Sequence, residues 1–110
     1  MLLSKFGVSN YNLIIKEIQS FWVGNVEIQS EKRIENPRDA FELQLRLYDK
    51  YEVLLEYEMS TFALKLWTGQ EFEYLDNMTD DKMVYGFDSM KPENILHNFK
   101  VLNDVIKKWQ

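Results

Sequence analysis

The chain has 110 residues, no cysteine, 45% apolar and 28% charged content, and a formal charge of −5 from thirteen Lys and Arg against eighteen Asp and Glu. That length suits one domain with one core, and the missing cysteines exclude disulfides, thiolate metal sites and thiol nucleophiles. The acidic balance opposes binding to phosphate backbones, and no apolar run approaches the ~20 residues of a membrane span, so neither nucleic acid nor membrane is an expected partner. The opening residues show no basic stretch followed by an apolar run, which gives a cytoplasmic protein as the expectation.

From Ser9 to Trp22 the apolar residues Tyr11, Ile14, Ile15, Ile18, Phe21 and Trp22 fall on one stripe of a 3.6-residue period. They predict a helix with Ser9 as N-cap, ended by Gly24-Asn25. The period then becomes two. Val26 to Ile34 reads as an edge strand interrupted by Asn36-Pro37, because proline cannot donate to a ladder. Phe41, Leu43, Leu45 and Leu47 alternate with Glu42, Gln44, Arg46 and Tyr48, and Asp49-Lys50 serves as a hairpin turn. Tyr51, Val53, Leu55 and Tyr57 form the next apolar face, and Phe62, Leu64 and Leu66 the one after. Thr68-Gly69-Gln70 is a turn, and Phe72 and Tyr74 continue into a shorter strand.

Residues 76–91 read as a loop, with Met83 to Phe87 as the place for one more short strand. Pro92 suits the first turn of a second helix, whose apolar positions are Ile95, Leu96, Phe99, Leu102, Val105, Ile106 and Trp109. Lys107 and Lys108 in its last turn complement the helix dipole. The expected fold is α+β: an antiparallel sheet of four to five strands with an N-terminal and a C-terminal amphipathic helix packed on one face, all within one domain spanning 1–110.

Few residues are equipped for catalysis. His97 is the single histidine, so no triad or histidine pair can be assembled. None of the four glycines has phosphate-loop spacing, and the acidic run Asp76 to Asp81 lacks the ligand order and glycine of an EF-hand. Glu56 and Glu58, and likewise Glu71 and Glu73, are spaced two apart, which puts each pair on one face of a strand. A two-carboxylate hydrolase is the enzymatic alternative, but no nucleophile or cofactor motif accompanies the acids. The expectation is therefore a non-enzymatic protein with no cofactor and no metal.

The distribution of charge is more informative. Between Glu52 and Asp81 stand eight acids and one base, Lys65. Like charges on neighbouring strands cost stability, so their concentration points to a use for the open sheet face. Trp67 shares strand parity with Lys65, with Leu54 and Tyr48 as expected neighbours. Aromatic residues amid polar ones typify interface anchors, and a negative face speeds encounter with a basic partner. Glu52, Glu56, Lys65, Trp67, Glu71 and Glu73 form the expected partner-binding set.

In size, acidity and helix–strands–helix order, the whole chain resembles small bacterial immunity proteins that neutralise toxic effectors, an overall build with no diagnostic motif. The resemblance implies a protein partner. Two other readings stay open: a dimeric, secretion-chaperone-like protein that binds an extended client, and a small-ligand carrier with a cavity between sheet and helices lined by Phe, Tyr and Met.

Overall fold

In the computed structural model, which describes residues 5–34 and 39–109, the two periods become two helices and five strands. They are α1 (Lys5–Phe21), β1 (Val26–Ile34), β2 (Ala40–Leu47), β3 (Tyr51–Glu58), β4 (Thr61–Trp67), β5 (Phe72–Tyr74) and α2 (Pro92–Lys108), with 3-10 turns at Leu75–Asn77 and Gly86–Met90. The strands form one antiparallel sheet in chain order, so each hairpin connects immediate neighbours. Asn36-Pro37, the expected interruption after β1, lies outside the described residues.

Register makes the core. Phe41 stands opposite Tyr57, Leu43 opposite Leu55, Leu45 opposite Val53, and Leu55 in turn opposite Leu64. Because strand side chains alternate, these residues share one face. Both helices cover that face, bringing Ile14 and Ile18 of α1 and Ile95, Phe99 and Leu102 of α2 into one cluster with the strand leucines. Leu45, Leu55, Leu64, Ile14 and Phe99 are thus buried together, as their periodicity implies.

α1 begins before Ser9, so that residue lies within the helix and is not its N-cap. The buried stripe continues upstream of Ile14 through Asn10 and Gly7, neither of which registers as hydrophobic. Asn10 is 8% exposed and donates from Nδ2 to the Tyr57 hydroxyl at 2.8 Å. Gly7 packs beside the Asp39 carboxylate, which would have to shift to admit a Cβ there.

Two more expectations are corrected. β2 ends at Leu47, and the β2–β3 turn takes in Tyr48 as well as the expected Asp49 and Lys50, with Tyr48 and Asp49 at positive φ (55° and 57°). Tyr48 consequently leaves the strand and packs against the core, with its hydroxyl donating to Asn103 Oδ1 of α2 at 2.6 Å. Residues 83–87 form no strand. The Asn98 side chain, fully buried on α2, accepts from Val84 N–H at 2.9 Å and donates to Val84 O at 3.0 Å, which satisfies the backbone groups that a ladder partner would otherwise serve.

Shortening core side chains tests this arrangement. Leu55→Ala is expected to cost about 2 to 5 kcal/mol and Phe99→Ala about 3 to 5, each lowering the urea midpoint. An unchanged midpoint in either would contradict its placement.

Candidate functional site

With both helices on one side, the opposite face of the sheet is left bare. Its side chains come from the alternate register: Glu27 opposite Arg46 opposite Glu52, and Lys32 opposite Glu42 opposite Glu56 opposite Ala63. Leu54 pairs with Lys65, Lys65 with Tyr74, and Trp67 with Phe72. Among the described residues this face therefore carries Glu27, Glu42, Glu52, Glu56 and Glu58 against Lys32, Arg46 and Lys65.

The charges are largely paired within the face. Arg46 Nε lies 2.8 Å from Glu52 Oε1. Gln29, at the β-bulge of β1, bridges the two when its amide is oriented to satisfy both, donating to Glu52 at 3.2 Å and accepting from Arg46 at 3.3 Å. Lys65 Nζ lies 3.2 Å from Glu56 Oε1 and 4.5 Å from the centroid of the Tyr74 ring. Burial works against the Lys65 ammonium, yet its bonds to Glu56 and Tyr74 outweigh that and raise its pKa above the ordinary lysine value.

The expected partner-binding set is thus only partly assembled. Glu52, Glu56, Lys65 and Trp67 share the bare face, with Trp67 40% exposed and edge-on to Phe72 at 5.1 Å. Glu71 falls in the turn before β5, where its backbone bonds to Thr68, and is exposed to solvent. Glu73 pairs with the core residue Leu66, so its parity is that of the helix-covered side, and it accepts from Asn77 Nδ2 at 2.5 Å. Asp76, Asp80 and Asp81 follow β5 in the 3-10 turn and loop. The acidity of residues 52–81 is divided between the bare face, which carries Glu52, Glu56 and Glu58, and the turns and loop around β5.

A concavity that the sequence does not announce lies at one end of the bare face. β5 pairs only with Lys65, Leu66 and Trp67, which leaves the first half of β4 paired to β3 but without a strand neighbour on its other edge. The returning loop closes that gap, with Gly86 N–H donating to Thr61 Oγ1 at 2.9 Å. The result is a cleft of about 530 Å³ lined by Glu42, Glu56, Glu58, Thr61, Ala63, Tyr74 and Tyr85, among others. Tyr85 is held by a short hydrogen bond from its hydroxyl to Asp76, and burial together with that carboxylate pushes its pKa well up, so the phenol stays neutral.

Exposed apolar side chains flank the cleft in sequence: Met59, 62% exposed in the β3–β4 turn, and Phe87, 81% exposed after Gly86. Met59 and Ser60 hold φ values of 48° and 69°, a conformation that favours glycine or asparagine in a two-residue hairpin. His97 lies elsewhere, on α2, with Nε2 2.8 Å from Lys82 O, where it pins the loop to the helix. It borders a separate concavity of about 330 Å³ with Asp81, Lys82, Lys100 and Asp104. Among the described residues, no group of three or more His, Asp or Glu side chains is arranged to hold a metal ion.

The Lys65–Glu56 pair is partly exposed, its side chains at 21% and 31%, so Lys65→Met should cost no more than about 1 kcal/mol. Because the folded pKa of Lys65 is raised, that contribution is fully present below the unfolded value of 10.5 and is lost as the pH rises through the folded value. Urea melts of wild type and variant should therefore differ slightly at neutral pH and converge in strong alkali. A gap that widens in alkali would contradict the pairing. Compared with known proteins, the chain matches no family model, no curated protein and no solved structure.

Proposed function

We propose that this protein is a non-enzymatic binding domain that docks a basic protein partner on the bare face of its sheet, as an immunity protein or inhibitor would dock the effector it neutralises. The observation that carries this reading is the bare face itself, where Trp67, Tyr74 and Tyr85 are 40 to 45% exposed among carboxylates that outnumber the cations. Aromatic side chains that are half exposed in the free protein lose the rest of their water on docking and supply most of the energy, while the excess negative charge governs encounter and selects a positive partner. The ion pairs Arg46–Glu52 and Lys65–Glu56 cross-link neighbouring strands of the same face.

The alternatives find less support. A ligand carrier needs space between sheet and helices, and the side chains there, Leu43, Leu45, Leu55, Leu64 and Phe99 among them, are packed to 1% exposure or less. A dimer formed by pairing β1 edges meets a bulge between Ile28 and Ser30 and the charges of Glu27, Glu31, Lys32 and Arg33, devices that discourage edge pairing.

The test compares dissociation of a captured partner from wild type, Trp67→Ala and Leu96→Ala, the last on the exposed side of α2. Trp67→Ala should speed dissociation, costing about 2 kcal/mol or more, with melting unchanged, and Leu96→Ala should behave as wild type. Loss of binding in Leu96→Ala with Trp67→Ala unaffected would move the docking surface to the helices.

A further inference from the structure

Glu42 and Glu56 stand directly opposite each other on β2 and β3. Such a like-charge pair destabilises a sheet; Lys65 pairs with Glu56, and Lys32 of β1 stands opposite Glu42 on its other side. Glu42 makes no ion pair among the described residues. Both carboxylates border the cleft, together with Glu58, and the floor beside them is Ala63, the smallest side chain on this face of β4. Tyr74 and Tyr85 line the same cleft. One cation already occupies its margin, since the Lys65 ammonium rests between Glu56 and the Tyr74 ring. The cleft's volume of about 530 Å³ exceeds what a bare ion fills and suits an extended side chain with some of its backbone.

Building on the docking reading, we infer that this cleft is the seat of one arginine side chain of the protein partner. Its guanidinium lies against Glu42 and Glu56, and its aliphatic stem lies over Ala63 beside Tyr74 and Tyr85. Arginine fits better than lysine because a planar fork can bond two carboxylates on adjacent strands at once and stack on an aromatic ring, whereas an ammonium acts as a point charge. The repulsion built into the Glu42–Glu56 pair is relieved when the guanidinium arrives, so the site favours the occupied state. Met59 and Phe87, exposed and next in sequence to lining residues, are then available to meet the partner's surface.

The inference can be tested without the partner. Amide NMR spectra of the full chain at physiological salt are titrated with N-acetyl-arginine N-methylamide, and in parallel with the lysine and norleucine analogues. Saturable shifts are expected at Glu42, Glu56, Ala63 and Gly86 with the arginine compound, weaker ones with lysine, and none with norleucine. Ala63→Leu, which fills the floor, and Glu42→Gln, which removes charge without touching an ion pair, should each weaken binding about tenfold, equivalent to about 1.4 kcal/mol. If Ala63→Leu disturbs the fold, Glu42→Gln alone decides.

Norleucine shifts equal to those of arginine, arginine shifts confined to the His97 side of α2, or wild-type affinity in Glu42→Gln would overturn the inference. Trp67 does not line the cleft, so Trp67→Ala should bind the arginine compound as wild type does. Failure of the docking reading, seen in partner dissociation, is therefore distinct from failure of the arginine seat, seen in this titration.

Discussion

The architecture depends on how the Phe99 ring is packed. Phe99 lies 4.7 Å from the Trp22 ring just past α1, 5.8 Å from Phe21 at the end of α1 and 6.1 Å from Phe62 on β4, so both helices and the sheet meet at one side chain. Edge-on and tilted ring pairs of this kind contribute about 0.5 to 1.5 kcal/mol each beyond the area they bury. One turn further along α2, Asn103 Oδ1 accepts from Trp22 Nε1 at 3.2 Å and from the Tyr48 hydroxyl at 2.6 Å. The same asparagine thus ties α2 to the end of α1 and to the β2–β3 turn. These contacts commit both helices to one side of the sheet.

The bare face is the consequence of that commitment. A sheet with one uncovered side normally solvates it with charge. Here the charges are matched laterally, Arg46 to Glu52 and Lys65 to Glu56, while Glu42, which makes no ion pair among the described residues, borders the cleft beside two tyrosines. The shortness of β5 adds the cleft, because the chain must return past the edge of β4 that β5 leaves open and does so as a loop anchored by Asn98 and Thr61. Packing on one side therefore determines where the other side is flat and where it is hollow.

Much of the fold is legible in the sequence because burial imposes a period. Leu43, Leu45, Leu55 and Leu64 announce their strands, and Ile95, Phe99, Leu102 and Ile106 announce α2. What escapes is held by side chains that carry no hydrophobic signal. Gly7 and Asn10 extend the buried stripe of α1, Asn10 through its hydrogen bond to Tyr57, and Asn98 replaces a strand partner for Val84. Glu73 changes sides because the Thr68–Glu71 turn sets the register of β5, placing Glu73 opposite Leu66. Glu42, Tyr74 and Tyr85 come together only in the fold, from segments whose joint placement no spacing rule encodes. Of the surface expected from charge counting, Glu52, Glu56, Lys65 and Trp67 remain together because they occupy paired strands.

Trp67 and Trp109 offer an internal comparison, since they are 40% and 44% exposed on different parts of the molecule, one on the bare face and one at the end of α2. Hydroxyl-radical footprinting of the free protein and of its complex isolated from the cells that make it measures both rings at once. Similar oxidation of the two is expected in the free protein, with protection of Trp67, Tyr74 and Tyr85 and no change at Trp109 in the complex. Protection of Trp109 and Leu96 while Trp67 stays as reactive as before would contradict docking on the bare face.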